Sequence, residues 1–198
     1  MNRSSPILAV IASALALGTA GTACAQDAHA RHAAKTAPAA APAASSAPMV
    51  HADVIGADGK AMGMVMLKET PAGVLISADV KGLPAGEHGF HFHQKGVCEP
   101  DKKFETAGGH FTGGDHQHGY LVAQGPHAGD MPNQHVGTDG LLETQVLNTG
   151  VTLSAGPKSL FDADGSTLVI HANADDYASQ PSGNAGGRLA CAVISKAK

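Results

Sequence analysis

The sequence predicts an all-β domain, a sandwich or barrel of short antiparallel strands. Three observations carry this. Short apolar, β-branched runs recur along the chain and are divided by turn signals. Within several of them apolar and polar residues alternate at the two-residue period of a strand. The composition agrees, with 25 glycines, no tryptophan, five phenylalanines and two tyrosines in 198 residues. That length suits one good core rather than two. A formal net charge of −4 gives no reason to expect a nucleic-acid partner.

The first residues read as an export signal. Arg3 supplies a positive start, Pro6 to Ala20 is mostly apolar, and "ACAQ" offers small residues before a cut between Ala25 and Gln26. The apolar run is short of the roughly 20 residues of a membrane span, so no span is expected. Lipid anchoring at Cys24 is the alternative, but the preceding "GTA" lacks the leucine such sites carry. Residues 26–48 are rich in Ala, Pro and Ser without apolar periodicity, the composition of a disordered tether. His29 and His32 lie in it, either solvated or acting as a weak metal-capture arm.

The folded domain is expected over 49–198. "MVHADVI", "AMGMVMLKET" and "GVLISADVKG" are its first strands, divided by "GADGK" and "TPAG". In the third, Val74, Ile76, Ala78 and Val80 alternate with Leu75, Ser77 and Asp79. Met62, Met64 and Met66 are expected on one face of the second, as adaptable packing or an oligomer surface. "GEHGFHFH", Gly86 to His93, follows "LPAGE" and places His91 and His93 on one face, Phe90 and Phe92 on the other. "LLETQVLN", "GSTLVIHAN" and "GRLACAVIS" complete the set.

From Gln94 to Gly140 the sequence shows little regular pattern and reads as one long loop. Loops of that length are tolerated where something ties them down or where they carry function. A second irregular stretch, "ADDYASQPSGNAGG", follows His171. Removing Cys24 with the signal leaves Cys98 and Cys191, which in an exported domain are expected to form one disulfide. Closing so long a loop stabilises by about 4–5 kcal/mol on the chain-entropy model.

Three groups among the twelve histidines are hard to treat as isolated. His91 and His93 share a strand face. His110, His118, His127 and Asp130 follow at spacings of eight, nine and three. His171 ends "STLVIH". Three histidines with one aspartate suit closed, tetrahedral zinc, whereas histidines alone with an open position suit redox-active copper.

Together, "GEHGFHFH", "AGGHF", "HG" with "PHAGD", "TLVIHANADD" and "GNAGGRLACAVI" resemble the copper/zinc superoxide dismutases of exported bacterial type, from Met49 to the C-terminus. The resemblance implies a flattened Greek-key β-barrel or sandwich of about eight antiparallel strands with two long functional loops. It implies dismutation of superoxide, one copper and one zinc per subunit, and a periplasmic location. On it His91, His93, His110 and His171 would bind copper, and His110, His118, His127 and Asp130 zinc, with His110 bridging the two. Asp175 would hydrogen-bond His91 and His118, and His88 would tie backbone segments together. Arg188 would stand at the mouth of the copper site, and Cys98–Cys191 would be the family disulfide. The relatives include monomers and dimers, so a homodimer is compatible with the sequence without being required by it.

There are departures from the family pattern. "FTGG" follows the bridging histidine where the family has Asn-Pro, and "HQH" offers His116 beside His118, with spacing favouring His118. His51 and His135 match no family position and are expected as solvated surface side chains. Lys95, Lys102 and Lys103 flank Cys98 and either steer an anionic substrate or are ordinary solvated lysines. The competing function is a periplasmic copper- and zinc-binding protein without turnover, for which neither Arg188 nor Asp175 is needed.

Overall fold

Alternating burial builds the wall of a barrel. Val50, Ala52 and Val54 of β1 (Met49–Gly56) point inward, as do Val65 and Leu67 of β2 (Ala61–Thr70). Val74, Ile76, Ala78 and Val80 of β3 (Gly73–Lys81) join them. β4 (Gly86–His93) adds Phe90 and Phe92, both fully buried, each stabilising by about 1.5–3 kcal/mol. The remaining strands are β5 (Asp130–Val136), β6 (Leu141–Asn148), β7 (Ser166–His171) and β8 (Arg188–Ile194). This is a computed structural model, and it describes residues 48–195. The signal-type segment 1–25 with Cys24, and the tether 26–48 with His29 and His32, lie outside the described residues except for Pro48.

The eight strands are all antiparallel, in the order β5-β4-β7-β8-β1-β2-β3-β6. The two end strands, β5 and β6, are consecutive in the chain and nearly close the barrel. Across that seam Thr144 Oγ1 donates to Gln134 Oε1 at 2.7 Å. The β3–β4 and β6–β7 connections each pass over two strands, which is the Greek-key path.

β5 corrects the sequence reading, which left this segment in a loop. Its inward pattern is interrupted by Pro132, and the ladder with β4 shifts register between His88 and Phe90, opposite that proline. An edge strand tolerates proline at such an irregularity because few of its N–H groups are needed by a neighbour. The methionine row is a second correction. Met64 is about half exposed and Met66 lies partly exposed on the outer face, but Met62 packs against the core. The register shift beside it, where Val54 pairs with Gly63 and Ile55 with Ala61, leaves Met62 without a cross-strand partner and turns it aside.

Two long loops lie over the outer face of β4. The first runs from 94 to 129 and holds two short 3₁₀ turns, Pro100–Lys102 and Glu105–Ala107. The second runs from 172 to 187. Cys98 of the first loop is disulfide-bonded to Cys191 of β8, 93 residues away. His88 is buried and links Pro84 O (2.9 Å) to His171 O (2.7 Å), tying the start of β4 to the end of β7.

Candidate metal centre

β4 makes the site possible because both of its faces are buried: Phe90 and Phe92 fill the barrel while His91 and His93 are covered by the loops. His171 reaches the same place from the end of β7, beside His91's ladder partner Val169. His110 comes from the first loop, which runs along β4 as a bridge: His93 pairs with His110 and Phe111 N donates to Phe92 O at 2.8 Å. Phe111 sits in the core and pins that segment.

Two groups of ligand-type atoms result. In one, His91, His93, His110 and His171 each offer a nitrogen; in the other, His110, His118, His127 and Asp130 do so with nitrogens and an oxygen. Within each group the atoms lie within 4.8 Å of one another. His110 belongs to both, and its ring centroid is 4.2 Å from that of His91 and 5.0 Å from that of His118. Its Nδ1 is 2.8 Å from Asp130 Oδ1, while its Nε2 is buried without a partner.

Hydrogen bonds fix which nitrogen each ring presents. His91 Nε2 donates to Asp175 Oδ2 at 2.8 Å, leaving Nδ1, which is buried and unpartnered. His93 Nδ1 donates to Gly108 O at 3.0 Å and His171 Nδ1 faces Gly186 O at 3.4 Å. The Nε2 lone pairs of His93 and His171 then confront each other at 3.2 Å. On the other side His118 Nε2 donates to Asp175 Oδ1 at 3.0 Å, which turns its Nδ1 toward Asp130 Oδ1 at 3.1 Å. His127 Nδ1 is 3.5 Å from the same oxygen. Ring nitrogens, and on one side a carboxylate oxygen, thus converge at two buried points; a cation at each focus engages all of them at once, where protons satisfy only some. The residues therefore fit two metal ions.

The carboxylates are held to suit. Asp130 Oδ2 accepts from Gly119 N (2.9 Å) and His127 N (3.0 Å), which turns Oδ1 toward the three imidazoles. Burial alone would raise Asp130, but contacts with His110, His118 and His127 hold it far below the usual carboxylate range. Asp175 spans the two groups with its two oxygens and is likewise held low, by His118 and His91 against burial. Burial would lower His118, yet Asp130 and Asp175 outweigh it and raise the ring to about 9. His110 is pushed down to about 4, chiefly by burial, and His93 and His171 well below their usual value for the same reason.

Arg188 opens β8 and is the ladder partner of His171. Its guanidinium donates to Phe104 O (2.6 Å) and Gly108 O (2.7 Å). It lines a cleft of about 380 Å³ with His93, His110 and His171. Gly108 O thus holds both His93 and Arg188.

The sequence did not reveal several supporting residues. Asn133 of β5 clamps Asp175 reciprocally, donating from Nδ2 to Asp175 O (2.9 Å) and accepting from Asp175 N (2.7 Å). Gln180 does the same for His118, joining the two loops. Tyr120 O–H donates to Asp130 O at 2.9 Å. No pattern pointed to Asn133, because its strand was not recognised; for Gly108 the signal was the Gly-Gly before His110, since it adopts φ +78°. His116 is exposed and outside both groups, whereas His118 is fully buried. His51 is exposed, and His135 is an exposed side chain bonded to Glu87 at 2.8 Å.

Comparison with known proteins agrees with this geometry. The family model described as copper/zinc superoxide dismutase matches residues 61–194. "Superoxide dismutase [Cu-Zn] 2" of Aquifex aeolicus (strain VF5) is 49% identical over 146 residues, covering 73% of this chain and 85% of that protein. "Superoxide dismutase [Cu-Zn]" of Caulobacter vibrioides is 44% identical over 141 residues, covering 69% of this chain and 80% of that protein. Among solved structures, a SOD-like protein from Bacillus subtilis superposes with a TM-score of 0.69 at 38% identity, covering 73% of this chain and 97% of that one.

Proposed function

The chain belongs to the copper/zinc superoxide dismutase family, and from that premise we propose how its own residues carry the reaction. The activity is dismutation: two superoxide ions and two protons give dioxygen and hydrogen peroxide. When bound, copper supplies a centre that accepts one electron and returns it, and zinc supplies a fixed positive charge. His91 Nδ1, His93 Nε2, His171 Nε2 and His110 Nε2 would hold the copper. Nδ1 of His110, His118 and His127 with Asp130 Oδ1 would hold the zinc.

The chain's own contribution follows from the hydrogen bonds. Asp175 holds His91 and His118 as fixed tautomers, so both groups are pre-formed. His110 Nε2 is the atom that takes up a proton and delivers it to the departing peroxide, while Nδ1, on the zinc side beside Asp130, keeps the ring in place. Arg188, already immobilised by two carbonyls, offers its remaining N–H groups to a small anion in the cleft. Export to the periplasm is supported by the signal-type segment 1–25 and by the Cys98–Cys191 disulfide, a bond that persists in oxidising compartments.

One observation carries this reading: His110 belongs to both ligand groups, with Nδ1 beside Asp130 and Nε2 buried without a partner. A binding protein without turnover would need neither the shared ring nor Arg188 at the cleft. The test is metal analysis of purified protein beside superoxide consumption, before and after chelation. One copper and one zinc per chain with activity following copper is expected; activity unaffected by copper removal would overturn it.

A further inference from the structure

Besides the Arg188 cleft, which His110 and His127 also line, the zinc group has a second opening to solvent. It has a volume of about 290 Å³, and His127 and Asp130 stand in its wall with His116 and Lys158 beside them. The copper-group residues His93, His110 and His171 open instead into the Arg188 cleft, and of the ligands only His127 touches both. His118 and His110 are 0% and 4% exposed, while His127, at 9%, is the most accessible member of the zinc group. An ion therefore meets His127 before the others. His116 is exposed, two residues before His118, and its ring has no hydrogen-bond or ion-pair partner among the described residues.

We propose that this cleft is the route by which zinc reaches its site, with the free imidazole of His116 capturing hydrated Zn²⁺ and passing it to His127 and Asp130. Imidazole is a zinc ligand in its own right, and a single exposed one binds weakly enough to let go. This rests on the zinc assignment above and adds the path. Copper arrives through the other cleft, so His116 has no part in its uptake. Lys158 is exposed on the same rim and its charge opposes a cation there. The two rim residues therefore act in opposite senses.

The experiment uses the full chain freed of both metals and follows zinc transfer from a chromophoric chelator by stopped flow. In His116→Ala zinc uptake is expected to slow several-fold while the final zinc content and the rate of copper uptake stay unchanged. His116→Asp, which keeps a ligand, restores most of the rate, and Lys158→Gln raises it above that of the parent. Wild-type zinc kinetics in His116→Ala would overturn the proposal, as would equal slowing of copper, which would mean a loosened loop. A lowered final zinc content would instead make His116 a resident ligand, overturning the zinc assignment and the path with it.

Discussion

Asp175 concentrates the logic of the site in one side chain. Each oxygen holds a different imidazole, one from each ligand group, and its backbone is clamped by Asn133. Its replacement by Ala frees both rings at once. Removing such outer partners costs about 10–100-fold in metal affinity, so Asp175→Ala is expected to lose both zinc and copper to a competing chelator in that range. Asn133→Ala should show a smaller effect of the same kind, because Asp175 keeps its hydrogen bonds to the rings. On the proposed mechanism Arg188 acts on the substrate instead. Arg188→Met is expected to lower kcat/KM about tenfold or more, the lower end of what focused charge adds to association rates, with metal content unchanged. Undiminished dismutation with both metals bound would remove Arg188 from the mechanism.

The two loops act as one element because the fold bolts them down at few points. Cys98 anchors the first to β8, and from that anchor the chain carries Phe104 O and Gly108 O to Arg188. The double change Cys98→Ala, Cys191→Ala should therefore do two things. Thermal unfolding should show a loss of about 2–5 kcal/mol. Steady-state kinetics should show Arg188 less well placed, as a raised KM. In the second loop Gly183 adopts φ +67°, and a β-carbon there would overlap Asp175 Oδ1 and crowd His118 Nε2. Gly183→Ala is thus expected to displace the carboxylate and weaken zinc retention in chelator competition, although its own side chain bonds nothing.

Across the whole molecule the electrostatics are mixed. The chain is net negative, yet Lys95, Lys102 and Lys103 are all exposed on the loop that carries Cys98. Lys102 lies 3.7 Å from Asp101, which offsets part of its charge. If these lysines focus an anion toward Arg188, replacing all three by Gln should flatten the fall of rate with ionic strength, since such steering is screened within about 8 Å at physiological salt. An unchanged salt dependence would make them solvated surface charges only.

From its own residues the sequence determined the β class and seven of the eight strands, which are recorded in periodicity, and left Cys98 and Cys191 to pair once the signal is removed. The division of the histidines into two ligand groups sharing His110 was legible only through the family resemblance, because spacing alone left three separate groups. Tertiary structure alone decided β5, because a polar edge strand with Pro132 leaves no alternating pattern. It also decided the turned Met62 and which nitrogen each ring presents. A ring's tautomer is set by whatever faces its other nitrogen, and for His91 that partner is a carboxylate 84 residues away. No local pattern encodes a contact of that range; only the packing of the loops over β4 creates it.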